Sequence, residues 1–153
     1  MNVQPAVPGD VDELMRLAAS VEQWFGPMVG DPEFLDVVRR NIARGSAFVV
    51  RGEGKRLLGA IMTGGRSPVH RINWLVVAAD ARRGGVGQAL MAHVLDRWER
   101  PCTVEVVTFG ADHPGAGPSG SRAFYERLGF VAGETVADGP EGGSRQRFRL
   151  TLS

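Results

Sequence analysis

The sequence predicts a single α+β domain, and three observations predict it. The chain is 153 residues long, enough for one core that needs no metal or disulfide. Amphipathic helical stripes and β-branched runs alternate in the order strand, two helices, three strands, helix, strand, helix, two strands. A Gly-rich turn joins one of those runs, Ile72 to Val77, to the helix that begins near Val86.

The first strand, near Val3, is weakly marked. Asp10 with Glu13 reads as an N-cap and capping-box acid, and Val11, Leu14, Leu17, Ala18 and Val21 form the apolar stripe of a first helix expected to reach about Trp24. Phe25-Gly26-Pro27-Met28-Val29-Gly30 breaks it. Asp31-Pro32 starts the second helix, with Asp as cap and Pro preset for the first helical position, and Phe34, Leu35, Val38 and Ile42 as the buried face. Ala47 to Val50 and Leu57 to Met62 read as a hairpin around Gly52-Glu53-Gly54-Lys55, followed by the strand Ile72 to Val77. Val86, Leu90, Val94 and Trp98 recur at every fourth position of the next helix, which Pro101 ends. Thr103 to Phe109 is a nearly continuous β-branched run, as in a strand covered on both faces. Gly110 to Gly120 is a loop, Arg122 to Leu128 a helix stopped by Gly129, and Val131 to Val136 and Gln146 to Leu152 the last strands. The segment Asp138 to Ser144 between those strands reads as a mobile loop.

Composition narrows the function. A net charge of +1 removes any broad electrostatic case for nucleic acid or an anionic membrane. Cys102 is the only cysteine, so no disulfide or thiolate metal site is expected and a reducing cytoplasm is the natural home. No metal is expected from His70, His93 and His113, whose spacing is not that of ligands. No apolar run approaches spanning length, and the first residues lack a basic-then-apolar leader.

The chemistry concentrates in Ala78-Ala79-Asp80-Ala81-Arg82-Arg83-Gly84-Gly85-Val86-Gly87-Gln88. Gly84, Gly85 and Gly87 carry no Cβ, so the backbone can approach a ligand and turn successive N–H groups toward one anion. The helix that follows adds its first unpaired N–H groups and the positive end of its dipole, and Arg82 and Arg83 add charge. This is a diphosphate cradle. It is not a Walker loop, because no Gly-Lys-Ser/Thr follows. A dinucleotide fingerprint fits poorly: Leu90 stands where its third Gly or Ala belongs, although Glu105 lies where its ribose-binding acid would be.

Val77-x-x-x-x-Arg82-x-x-Gly85-x-Gly87 resembles the acyl-CoA-binding motif of the GNAT superfamily of N-acetyltransferases. Phe124-Tyr125-Glu126-Arg127-Leu128-Gly129-Phe130 is similar to that family's penultimate helix, and the motifs stand in the family's order. The resemblance covers Leu57 to Phe130 by motif and the rest by element order. Ala79 stands where many members have Pro, and no Asn opens the segment before Ala123; neither change removes a backbone N–H. The resemblance implies a three-layer α/β/α domain with a mixed, mostly antiparallel central sheet. It also implies acetyl-CoA as co-substrate and a primary amine of a small molecule or peptide as acceptor. Homodimerisation is common among such small domains, and nothing in this sequence shows it.

By the same resemblance, Leu75, Val76 and Val77 splay from the neighbouring strand and pair with pantetheine, and one N–H polarises the thioester carbonyl, a role assigned to Val77. Arg82, Arg83, Gly84, Gly85, Val86, Gly87 and Gln88 hold the pyrophosphate. Tyr125, the only tyrosine, matches the position that gives a proton to the departing thiolate, and a phenol is protonated at neutral pH. Phe124 packs in the core or walls the pantetheine. The apolar cluster Trp24, Phe25, Pro27 and Met28 reads either as the wall of an acceptor pocket or as a plug over the core. For the base that neutralises the amine, the candidates are His70, Glu22, Glu105 and a water chain, with Asn73 able to position water but not to take a proton. A rival reading keeps the fold and the ligand but not the reaction: a non-catalytic acyl-CoA sensor.

Overall fold

Residues 1–153 are described by a computed structural model. Strand β1 (Val3–Pro5) pairs antiparallel with β2 (Ala47–Arg51), β2 with β3 (Leu57–Arg66), and β3 with β4 (Val69–Val77). β4 then lies parallel to β5 (Cys102–Phe109), and β5 pairs antiparallel with β7 (Arg145–Leu152), which pairs with β6 (Val131–Val136). The result is one seven-stranded sheet in the order β1-β2-β3-β4-β5-β7-β6, mixed and mostly antiparallel as expected. The parallel pair needs a crossover, supplied by helix α4 (Val86–Arg97).

Helices cover both faces. On one face α1 (Val11–Ala19) and α3 (Pro32–Arg44) bury Leu14, Leu17 and Val38 against Val49, Leu57, Ala60, Met62 and Val76. On the other, α4 and α6 (Ser121–Arg127), which follows a single turn α5 (Ala116–Ser119) within the segment expected to be all loop, bury Val86, Leu90, Met91, Val94 and Tyr125 against Phe48, Ile61, Ile72, Val104, Val106 and Phe148. Alternation along β2 sends odd and even residues to different cores, Ala47 and Val49 to one and Phe48 and Val50 to the other.

Several elements differ from expectation. The first helix stops at Ala19, because Val21 leaves helical geometry (φ −120°, ψ 6°), and a separate turn α2 (Glu22–Phe25) follows and ends at Gly26 (φ +88°). Asp10 does not cap that helix. Its carboxylate accepts from the Val7 N–H of the preceding turn and from Arg51, and Glu13 accepts from the Leu57 N–H at 2.9 Å instead of closing a capping box. Asp31 does cap α3, accepting from the Glu33 N–H at 2.9 Å. α4 ends at Arg97 rather than at Pro101, since Trp98 turns extended and stacks on His70.

The strand before the glycine turn starts at Val69, and it contains a bulge. Trp74 pairs with Met62 and Ile72 with Thr63, leaving Asn73 as the extra residue. The bulge reverses which residues face which core: Ile72 packs toward α4, whereas Val76 packs toward α1 and α3. It also bends β4 away from β5. The ladder between them runs from Val69 opposite Thr103 to Ile72 opposite Val106 and goes no further.

Candidate functional site

The parting of β4 from β5 leaves Trp74 to Val77 paired only to β3, and Asn73 paired to neither. Ala78 N–H donates to the Leu58 carbonyl at 2.8 Å, so strand alternation turns the N–H groups of Val77 and Leu75 the other way, into the gap. Those are two of the three residues that sequence reasoning assigned to the pantetheine strand. Val76 is buried and its main chain faces β3.

The gap leads to the glycine turn. Arg83 and Gly85 both take left-handed backbone geometry (φ +67° and +85°), with Gly84 between them. The first α4 amide to close on the turn is that of Ala89, donating to Gly85 O at 2.9 Å. Val86, Gly87 and Gln88 therefore offer N–H groups without intrahelical partners at the positive end of a 12-residue helix. A Cβ on Gly87 would stand 3.3 Å from the Phe124 ring, so the missing side chain is what lets α6 close on the start of α4. The Arg82 guanidinium lies over the Trp24 ring, 5.3 Å from its centroid. An elongated diphosphate-bearing ligand suits this arrangement: unpaired strand amides at one end, a left-handed anion cradle at the other.

Beyond the gap a cleft of about 520 Å³ opens, lined by Phe25, Pro27 and Met28 of the α2–α3 connection, Phe34, Asn73, Leu75, Glu105, Thr108, Phe109 and Tyr125. Phe25, Met28 and Asn73 thus stand together, as a pocket wall requires. Trp24 does not line the cleft; it sits between Arg82 and Gly115, over the cradle rather than over the acceptor space. Tyr125 is only 5% exposed, wedged among Phe124, Phe130 and Phe148 with ring centroids 5.3–6.5 Å away. Burial pushes its phenol well above the ordinary tyrosine range, so it stays protonated. Sequence reasoning missed Thr108 and Ser121, whose hydroxyls share a 2.7 Å hydrogen bond on the cleft wall beside Tyr125. Nothing in their local sequence marks them, since they meet across 13 residues.

The base candidates fare differently. His70 lies on the α4 side of the sheet, stacked on Trp98 at 4.4 Å, with Nε2 buried and unpartnered, and burial depresses its basicity. It does not line the cleft. His70 on the α4 face and Asn73 on the cleft do not meet, as strand alternation already requires of residues three apart. Glu22 folds back to accept the Met28 and Val29 N–H groups, at 2.5 and 3.2 Å, and buttresses the α2–α3 connection. Glu105 reaches the cleft but is ion-paired with Arg149 at 2.8 Å. No group of three or more His, Cys, Asp or Glu is placed to hold a metal.

The sequence model of the Acetyltransferase (GNAT) domain matches residues 43–132, more than half of the chain. The chain belongs to the GNAT family. No curated protein matches this GNAT chain's sequence, but solved structures share its fold over nearly the whole length. It is similar to Ard1 from Thermoplasma volcanium at a TM-score of 0.78 and 19% identity, covering 99% of this chain and 97% of that one. The ribosomal-protein-alanine N-acetyltransferase of Brucella melitensis superposes at 0.76 with 19% identity, over 99% and 100% of the two chains. A NatC complex bound to Gag peptide and CoA does so at 0.70 with 17% identity, over 99% and 98%. The single α+β domain is therefore the GNAT fold, and no helix of this GNAT chain is long and apolar enough to cross a membrane.

Proposed function

We propose that this protein moves an acetyl group from acetyl-CoA to a primary amine of a small molecule or peptide by direct attack in a ternary complex. The observation that carries the reading is the continuity of the glycine cradle, the unpaired half of β4 and the cleft beyond Tyr125. Arg82 to Gln88 hold the pyrophosphate, Arg82 doing so from its perch on Trp24. The backbone of Leu75 and Val77 holds the pantetheine, and Val77 N–H polarises the carbonyl, strengthening as charge develops on its oxygen. The coenzyme supplies the acetyl group as a thioester. Tyr125 protonates the leaving sulfur, a task suited to a phenol kept neutral by burial. Phe124 walls the pantetheine channel. Phe25 and Met28, with Asn73 opposite, bound the acceptor, and Trp24 closes over the coenzyme. The neighbour that holds both CoA and a peptide supports a fold of this kind taking the two together.

A second reading, an acyl-CoA sensor without turnover, is favoured by one observation: Glu22 is engaged with backbone amides, Glu105 with Arg149, and His70 faces away. Release of free coenzyme thiol from acetyl-CoA in the presence of an amine and peptide panel separates the two. Turnover with at least one amine is expected. Stabilisation by acetyl-CoA, about 2.7 kcal/mol at a hundred times its dissociation constant, without turnover on any amine would leave the sensor; equal stabilisation by NAD would remove both.

A further inference from the structure

The segment that reads as a mobile loop in sequence is instead built around a carboxylate. Gly139 N–H donates to Gly143 O at 2.9 Å and Gly142 N–H to Gly139 O at 2.8 Å, closing the β6–β7 connection on itself. Gly110 N–H donates to Ser144 O at 2.8 Å and the Ser144 hydroxyl to Asp112, pinning it to the loop after β5. Inside this clasp His113 is 7% exposed. Its Nδ1 accepts the Gly115 N–H at 2.8 Å, so the ring is neutral with its proton on Nε2, and Nε2 donates to Glu141 Oε1 at 3.1 Å. A Cβ on Gly143 would overlap the imidazole, and one on Gly139 would stand 2.6 Å from both Glu141 oxygens. Phe25, Phe109 and His113 continue as an aromatic stack, with centroids 4.7 and 4.4 Å apart.

We infer that Glu141 is the base that neutralises the acceptor amine and that His113 is the residue that positions it. The inference rests on the acetyl-transfer reading above. Four carboxylates line the cleft: Asp31, Glu33, Glu105 and Glu141. Asp31 caps α3, Glu105 would lose its Arg149 ion pair on protonation, and Glu33 is exposed with no partner to fix it. Glu141 alone is fixed by an uncharged side-chain donor, and a protonated Glu141 still accepts that hydrogen bond. The remaining charged groups around it are Asp112 behind His113 and Arg145 and Arg147 on the facing strand β7.

The step balances. Glu141 takes one proton from the alkylammonium nitrogen, breaking N–H and forming O–H, and passes it to solvent at the loop's exposed edge. The nitrogen lone pair forms the C–N bond as the C–S bond breaks. The second proton shed by nitrogen makes up for the one that Tyr125 gives to sulfur.

Glu141→Gln keeps the shape and can still accept from His113 Nε2, so the fold should survive, which a melting curve checks. With an alkylamine acceptor at neutral pH, kcat should fall at least about tenfold, recover as pH approaches the amine's own pKa of about 10, and leave acetyl-CoA binding by calorimetry unchanged. With an alkoxyamine, already neutral at the assay pH, wild type and variant should turn over alike. His113→Phe, which keeps the stack on Phe109, should lower kcat for the alkylamine only. Equal losses with both acceptors, or no loss with the alkylamine, would overturn the assignment. If the wild-type protein acetylates neither, the transfer reading itself falls and the inference falls with it.

Discussion

Tyr125 carries the sharpest single-residue prediction. Tyr125→Phe keeps the edge-on contacts with Phe124 and Phe130 and removes only the hydroxyl, so coenzyme affinity by calorimetry should hold. Release of coenzyme thiol should fall by at least about tenfold, general acids being worth roughly 10² to 10⁴-fold with water able to substitute in part. Unchanged turnover would leave Tyr125 as packing. This residue was legible in the sequence because its helix carries a local signature, Phe-Tyr-Glu-Arg-Leu-Gly-Phe, ended by a left-handed Gly129 (φ +98°). Glu141 was not legible. Its partner lies 28 residues away, and Asp-Gly-Pro-Glu-Gly-Gly-Ser reads locally as flexible chain, because glycines that permit close approach to an imidazole look the same as glycines that permit motion. His70 misled for the opposite reason: its type suits a base, and only the strand's geometry turns it away.

At the scale of elements, the glycine turn was legible as a turn from Gly84, Gly85 and Gly87, and its detail sharpens what substitution should do. Gly87→Val places its Cβ 3.3 Å from the Phe124 ring, so the added bulk acts first on the α4–α6 contact and through it on the channel wall. Acetyl-CoA binding should weaken by tenfold or more, about 1.4 kcal/mol, in a protein that calorimetry still finds folded; wild-type affinity in a folded variant would separate the turn from the ligand. The β4 bulge at Asn73 was invisible in advance. No Gly or Pro marks Val69 to Val77, and the bulge is fixed by β3 and by the Asn73 amide lying over Gly64, where a Cβ would stand 2.5 Å away. Since one extra residue flips every later side chain, a strict period of two assigns half of that strand to the wrong face. The first helix was likewise read too long, because Val21 continues the apolar stripe after the backbone has left the helix.

At the scale of the whole molecule, Arg51 at the end of β2 ties the edge of the sheet to the first helical turn. Its guanidinium grips Asp10 with two hydrogen bonds of 2.5 and 2.9 Å and reaches Gln4 of β1 at 2.9 Å. Burial by itself would raise the Asp10 carboxyl, but the Arg51 and Val7 hydrogen bonds outweigh it and hold the group below the usual aspartate range. A carboxyl lowered in the folded state contributes stability that is complete above its unfolded value, about 3.9, and that is lost as pH falls through the folded value. Asp10→Asn should therefore destabilise by about 1–2 kcal/mol at neutral pH, in the lower range for hydrogen bonds to charged groups because Arg51 is partly exposed. Melting temperatures of variant and wild type should begin to converge below about pH 3.9 and meet once pH has fallen through the folded Asp10 value; a gap undiminished over that descent would mean that the tie is not electrostatic. The order of helices and strands along the chain follows from patterning that the sequence carries openly, and the layers and the mixed, mostly antiparallel sheet follow from the family resemblance. The Asp10–Arg51 tie does not, since it joins residues 41 apart through contacts that leave no periodic trace.

A sheet that comes apart along one internal seam has four edges there where an unbroken open sheet has two. Past Ile72 and Val106 the inner edges of β4 and β5 each offer main-chain donors and acceptors to any extended chain slender enough to slip between them. Other proteins shield their outer strands with charge, proline or a covering helix; under the proposed function the shield for these inner edges is the coenzyme itself, so the ligand-free form is the one open to strand insertion and self-association.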